Sequence, residues 1–593
     1  MAFTGAWHTE EDATAVKVVV ALGRMRVASF RTGFLPMFRV AERTLTARPG
    51  KGDPLKRIQN MGFDKLSGRV GAAPMRSGCE SLERRALLVI VACSAALPLA
   101  GCSGSEISAS ETSASGTSQE EGRGSATDKP NIIFVLTDDL DYASAQKMPE
   151  IRSQLIEEGL SLERTFMSHP ICCPSRATIL TGLYDHNHHV LANRPPSGGF
   201  EKFVSEGHEE NTIGARLQEG GYQTAFFGKY LNGYPADDPT HVPPGWDEWY
   251  GKLDDQDLYD YRINENGEEV SYGSEIEDFF TDVLSGQGTD FIQRAAPEEQ
   301  PFFMYVAPTA PHGPATPAER HEEAFSEEEE APRPPSFDEE DVSDKPSQIQ
   351  DAERISSGEA SNIDARYRKR LNSMLAVDEM IGSLLEKLEE AGELENSFIF
   401  FTSDNGFHQG EHRIRGGKDQ PYEESARVPF FVRGPGVAAG AKAENLALNT
   451  DLAPTFADLA GLEFPADGRS LAPLLSGEED PSWRTSVLLE KFPQENSNEE
   501  GGKGKGKGNK GNKGKSKQGP SSSPGFQAVR TETHKYVEYN NGEEELYDLT
   551  NDPYELDNVY ESADPALVED LQAKLEALKS CSEEGCREAE DAP

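Results

Sequence analysis

The chain has 593 residues, 36% hydrophobic and 27% charged, enough to bury a large core and to form more than one domain. Its formal net charge of −45 argues against nucleic acid as a partner, since such binders need a basic footprint, and opposes long-range attraction of any anionic ligand. The one continuous apolar stretch, residues 86–100, is shorter than the ~20 residues a helix needs to cross a bilayer, which argues against a membrane-spanning protein.

Arg84-Arg85 precede that stretch and Leu99-Ala100-Gly101-Cys102 follow it, a pattern like a lipoprotein signal cleaved before a lipidated Cys102. An ordinary signal peptide ending nearby is the alternative. Either one exports the protein, to the cell surface on a lipid at Cys102 or as a secreted product. Residues 1–74 are basic and stand ahead of a signal that belongs at the N-terminus, so they are read as a non-native extension preceding a start at Met75. Residues 75–101 are then the signal peptide. Residues 102–128, rich in Ser, Gly, Thr and Glu, form a flexible tether.

From Lys129 a pattern repeats in which a short apolar run is followed at once by a polar cluster. Residues 131–136 lead to Asp138-Asp139, 222–227 to Gly228-Lys229, 302–306 to Pro311-His312, and 397–402 to Ser403-Asp404-Asn405-Gly406. Helical spacing appears between them, over 151–158, 212–219, 276–294 and 367–391. Strands alternating with helices predict an α/β fold, a large and mostly parallel sheet sandwiched by helices. In that class ligands gather at the carboxyl ends of the strands, so the four clusters face one cleft. Asp451 is read as the N-cap of another helix. The acidic runs 322–330 and 338–344 are read as solvated.

Short strands over 527–530, 535–539 and 545–547, then a helix over 565–578, predict a smaller C-terminal domain of antiparallel strands and a helix. The division is a catalytic domain over 129–480, the smaller subdomain over 481–580 with a disordered Gly-Lys-Asn insertion at 494–524, and a tail over 581–593. Cys581 and Cys586 are spaced for a small disulfide, with two free thiols as the alternative.

Cys172-Cys173-Pro174-Ser175-Arg176 opens a further segment, with Pro174 suited to the first turn of a helix and Gly182 to its end. A buried or disulfide-bonded pair is the bland reading. A thiolate phosphatase loop, Cys-x5-Arg, fails because Thr178 and Ile179 stand where its arginine belongs. Cys172 at a helix N-terminus favours an anionic ligand, and Arg176 one turn on offers a planar, always-charged fork. Asp138, Asp139, Asp404 and Asn405 supply hard oxygen donors that suit calcium or magnesium and not zinc. Lys229 and Lys418, taken singly, read as surface lysines.

Residues 131–139, the Cys172–Gly182 segment, Gly228-Lys229-Tyr230-Leu231-Asn232, Ala310-Pro311-His312, Ser403–Gly406, Lys418 before Tyr422–Ser425, and Leu546–Pro553 together resemble the sulfatase family, in order, from about 129 to 560. That family lies in the alkaline-phosphatase-like superfamily. The likeness is nearest to N-acetylglucosamine-6-sulfatases and related glycan sulfatases, through the Cys-Cys-Pro-Ser-Arg run and His186-Asn187-His188-His189.

The resemblance implies that Cys172 becomes formylglycine through a formylglycine-generating enzyme. A thiol that attacked sulfur would be left as a stable ester, whereas an aldehyde hydrate has a second hydroxyl whose deprotonation expels sulfate. It further implies Ca2+, with Mg2+ as the alternative, held by Asp138, Asp139, modified Cys172, Asp404 and Asn405. Arg176 would support the modified residue. Lys229, His312 and Lys418 would contact the sulfate of a sulfated sugar or glycan, with His312 or Lys418 protonating the departing alcohol.

Many sulfatases carry a histidine two residues after the first lysine, where this chain has Leu231. Its replacement is sought in Asn232 or among His186, His188 and His189, which are equally structural or substrate-facing. The rival functions are a phosphomonoester or phosphodiester hydrolase of the same superfamily, and a glycan-binding lipoprotein in which Cys172 stays unmodified.

Overall fold

Asn131–Thr137 (β1) is buried along its whole length, and its side chains alternate between two cores: Ile132, Phe134 and Leu136 enter one, Ile133 and Val135 the other. A strand apolar on both faces belongs in the middle of a sheet covered twice. The computed structural model describes residues 129–592 apart from 254–256, 327–328, 479, 481 and 494–523. The expected N-terminal extension, signal peptide, lipidation site Cys102 and tether, together with the Gly-Lys-Asn insertion, lie outside the described residues.

The large sheet has eleven strands. After β1 come Leu160–Phe166 (β2), Gln223–Gly228 (β3), Glu248–Lys252 (β4), Arg262–Glu265 (β5), Glu268–Ser271 (β6), Phe302–Ala307 (β7) and Ser397–Ser403 (β8). Arg427–Val428 (β9), Phe430–Arg433 (β10) and Ala441–Leu448 (β11) complete it. The spatial order is β11-β2-β10-β8-β1-β7-β3-β4-β5-β6, with β9 beside β2. The four strands expected from the sequence are the contiguous centre, β8-β1-β7-β3, and each pairs in parallel with its neighbour. Toward the edges the sheet becomes mixed. β10 runs antiparallel to both β8 and β2, and β4, β5 and β6 are antiparallel neighbours because short connections cannot make the crossover a parallel pair requires.

Helices Cys172–Thr181, Ile213–Glu219 and Leu452–Leu459 pack on one face, and Phe280–Ala295 and Ser357–Ala391 on the other. The last begins ten residues before the apolar periodicity does. Ser356 and Glu359 form a capping box there, over exposed polar turns, and Gly392 ends the helix.

Ser486–Lys491 (β12), Phe526–Thr531 (β13), His534–Tyr539 (β14) and Glu544–Asp548 (β15) form a separate antiparallel sheet in sequence order. β12 adds a strand to the three expected. Pro565–Leu578 is the expected helix, and its Leu571, Leu575 and Leu578 share a core with the sheet and with Phe166 and Leu448.

The expected small disulfide is present, Cys581 bonded to Cys586, and Cys586 lies in a helix over Glu584–Asp591, whose buried Glu590 accepts from Tyr184 Oη (2.6 Å) and faces Arg484 Nε (3.2 Å). Two expectations are corrected. Asp451 holds the N-cap position of the 452–459 helix, as expected, but its side chain makes no cap hydrogen bond to that helix. Its carboxylate turns inward to Arg484 Nη2 (2.6 Å) and the amides of Leu448 and Arg469, because a buried guanidinium needs an acid. The run 338–344 is packed, with Glu339 buried against His412 Nδ1 (2.8 Å) and Asp338 receiving Ile355 N and Arg354.

Candidate active site

The carboxyl ends of β1, β3, β7 and β8 carry Asp138-Asp139, Lys229, His312 and Asp404-Asn405 to one place. The turns after β1 and β8 are tied together. Leu140 N donates to Ser403 Oγ (2.8 Å), Ser403 Oγ donates to Asn405 O (2.9 Å), and Asp139 N donates to Asp404 Oδ1 (3.1 Å).

Facing them is the N-terminus of the 172–181 helix. Cys172 is its first residue and Gly182, left-handed at φ 69°, its end, as the sequence predicts. Arg176 Nε donates to Asp404 Oδ2 (2.8 Å) and its Nη1 to Lys229 O (2.6 Å), while its Nη2 is buried with no partner among the described residues. Lys229 Nζ donates to Asp138 Oδ2 (2.5 Å). Lys418 Nζ bridges Asp139 Oδ1 and Cys172 Sγ, the sulfur 2.7 Å away, and that sulfur lies 3.5 Å from Asp138 Oδ1. His312 Nδ1 faces its neighbour's carbonyl, Gly313 O (2.8 Å), and Nε2 stands 3.9 Å from Asp139 Oδ2 on a ring still partly exposed.

Three carboxylates therefore meet three permanent side-chain cations, Arg176, Lys229 and Lys418. Burial works against the charge on Asp138, yet Lys229, His312 and Arg176 hold its carboxyl well below the usual carboxylate range. Asp139 is lowered by Lys418 against the same burial, whereas burial and the charge of Asp138 raise Asp404. Burial also pushes the Cys172 thiol up, further than Lys229 and Lys418 pull it down, so the thiol stays protonated.

The donor set fits a hard cation. Ligand atoms of Asp138, Asp139, Cys172 and His312 lie within 4.8 Å of one another, and Asn405 Oδ1 is buried beside them with no partner among the described residues. Carboxylate oxygens with an orphaned amide oxygen match the preference of calcium or magnesium.

Of the remaining candidates, Asn232 lines a pocket with Lys229 and His312. His186 is held by Glu490 (2.9 Å) and the Cys581 carbonyl (3.0 Å), and His188 by Thr178 (3.0 Å) and Asp185 (3.3 Å). Those rings serve packing and not the cleft, which corrects the substrate-facing alternative for both. His189 is an exposed, left-handed helix cap at φ 60° near Glu206 and His208. Leu231 is buried in the core and brings nothing to the site.

Three supporting residues went unread in the sequence. Asn193 Oδ1 caps the helix by accepting Cys173 N (2.9 Å). His169 bridges Asp185 (2.5 Å) and Asp419 (3.2 Å), and Asp419 also takes Lys491 (2.6 Å), which fixes the backbone next to Lys418. Burial alone would lower His169, but Asp185 raises it to about 9, so it sits there as a cation. Arg370, from the 357–391 helix, donates to Asp139 O and to Pro311 O (3.2 Å). These residues come from a helix interior and from loops, where no neighbouring residue pattern marks a role.

Residues 130–462 match the sulfatase family. The chain is 34% identical over 499 residues to the N-acetylglucosamine-6-sulfatase of Homo sapiens, covering 79% of this chain and 87% of that protein. It is also 34% identical to an extracellular sulfatase SULF-1 homolog of Drosophila melanogaster, over 61% of this chain and about a third (33%) of that longer protein. A solved structure in complex with its substrate D-glucosamine-2-N,6-O-disulfate superposes with a TM-score of 0.62 at 25% identity, over 78% of this chain and 99% of that one. With the matched span reaching from β1 past every residue of the cluster just described, the chain belongs to the sulfatase family and is a sulfuric ester hydrolase.

Proposed function

We propose that this protein is an exported sulfatase that hydrolyses a sulfate monoester of a sugar or glycan, using formylglycine at position 172 and a bound divalent cation. The observation that carries the reading is the placement of Cys172 Sγ, 2.7 Å from Lys418 Nζ and 3.5 Å from Asp138 Oδ1, at the ends of the central strands. An unmodified thiol, kept protonated by burial, is a poor nucleophile there, which favours conversion. The names of the human relative and of the substrate in the solved complex support a 6-O-sulfated glucosamine as the class.

Formylglycine at position 172 would supply, as its hydrate, one hydroxyl for attack on sulfur and a second whose deprotonation would release sulfate. Asp138, Asp139, Asp404 and Asn405 would hold the cation, calcium with magnesium as the alternative, which neutralises charge on the sulfate oxygens. Lys229 and Lys418 orient the sulfate, Arg176 holds position 172 through its uncommitted Nη2, and His312 or Lys418 protonates the departing alcohol oxygen. Maturation would need a formylglycine-generating enzyme, and Cys102 would carry the lipid if the protein is surface-anchored.

Protein co-produced with such an enzyme, compared with Cys172→Ala, tests this. The variant is expected to lose all turnover of N-acetylglucosamine 6-sulfate with its Tm unchanged. Full activity in the variant would sink the mechanism, and preference for an aryl phosphate over every sulfate ester would sink the reaction class.

A further inference from the structure

In the pocket shared by Lys229 and His312 lies a cation, Arg194, to which the mechanism above gives no task. Asn193, Arg194, Pro195, Lys229, Asn232 and His312 line a pocket of about 320 Å³, continuous with the cluster through Lys229 and His312. The loop carrying Arg194 is rooted on both sides. Asn193 Oδ1 accepts Cys173 N (2.9 Å), Leu191 N donates to Ser197 O (2.7 Å), and Gly199 N donates to Ala192 O (2.9 Å). On the opposite wall, Asn232 O accepts Phe200 N (2.8 Å), and Asn232 Oδ1 is buried with no partner among the described residues.

Arg194 is exposed and has no ion pair or hydrogen bond among the described residues, in a chain with 103 acidic residues. Lys229 and Lys418, by contrast, are held by Asp138 and Asp139. A guanidinium with no acid of its own, one residue from the side chain that caps the Cys172 helix, is available to an anion that arrives with the substrate. Its planar fork matches a sulfate or a carboxylate. The overall charge of −45 supplies no long-range attraction, so discrimination among anionic sugars must come from such local contacts.

We propose that Arg194 anchors a second anionic group of the substrate, a sulfate or carboxylate on the same sugar or the adjoining one, so that the enzyme prefers multiply charged sugars over singly sulfated ones. This rests on the sugar-sulfatase reading. The substrate class is then a glucosamine 6-sulfate bearing a further anion.

The test compares wild type, Arg194→Ala and Arg194→Lys, each with formylglycine at position 172 verified by peptide mass, on three substrates. N-acetylglucosamine 6-sulfate has one anion, glucosamine-2-N,6-O-disulfate has a second sulfate, and a uronic-acid-linked N-acetylglucosamine 6-sulfate disaccharide has a carboxylate. Arg194→Ala is expected to raise KM about tenfold for one or both doubly charged substrates, as loss of a charge-assisted hydrogen bond does. KM for the singly charged sugar and kcat for all should stay within about twofold, and Arg194→Lys should fall between. Which doubly charged substrate responds identifies the anion. Equal changes on all three, or none, overturn the proposal while the sulfatase reading stands. A modified wild type that cleaves none of the three overturns that reading and this proposal with it.

Discussion

Arg370 joins two turns of the active site through a single side chain. Asp139 stands in the left-handed region at φ 70°, where a non-glycine residue needs its surroundings to hold it. The guanidinium does so by donating to the Asp139 carbonyl and, across the site, to the Pro311 carbonyl beside His312 (3.2 Å). Stacking on Phe407, at 4.1 Å, fixes the guanidinium in turn. Arg370→Ala should therefore weaken divalent-cation binding by about 10- to 100-fold, the usual cost of removing a group that orients ligands. The midpoint of the cation-dependent rise in Tm would report it. Arg370→Lys should recover only part, because an ammonium cannot span both carbonyls as a fork. An unchanged midpoint in Arg370→Ala would remove Arg370 from the site. Asp138, Lys229, His312 and Asp404 were legible in the sequence because each follows an apolar strand within a few residues, so local order announces the cleft. Arg370 was not, since it lies mid-helix among other charged residues and its partners are 231 and 59 positions away.

At the scale of elements, the contact between β3 and β7 sets how Lys229 is delivered. Gly228 ends β3 at φ 114°, and a Cβ there would lie 2.1 Å from Ala307 O, a backbone atom of β7 that cannot rotate aside. Gly228→Ala is expected to combine backbone strain with overpacking and to cost about 3 kcal/mol or more, measured by denaturant unfolding. A loss below about 1 kcal/mol would mean that the strands separate without penalty. The central strands were readable as buried apolar runs, whereas the flanking ones were not. β11 alternates half-buried Ala441 and Ala443 with exposed Lys442 and Glu444 before its buried end, and β6 is exposed at three of its four positions. Such strands are specified by their sheet neighbours more than by their own residues. β12 is apolar and short, and its hairpin partner comes only after the Gly-Lys-Asn run, so local pairing signals are missing.

Across the whole molecule, the site is assembled from distant parts of the chain. β1 pairs with β8, Asn131 opposite Ser397, and Cys172 ends 1% exposed beneath the turns those strands carry. Ribosomal synthesis at ~5–20 residues per second leaves Cys172 about 10–50 s ahead of Ser403, so the cysteine emerges well before the sheet that buries it can close. An enzyme that converts Cys172, as proposed, is expected to act before the sheet closes over it. Unmodified protein, once folded, should resist conversion by a formylglycine-generating enzyme, while a peptide spanning 168–182 should be converted, as mass spectrometry would show. Equal conversion of both would mean that the site opens in the native state. Under the proposed chemistry, the burial that would protect the finished nucleophile makes activation a race between modification and folding, and a chain that folded first would keep an ordinary thiol.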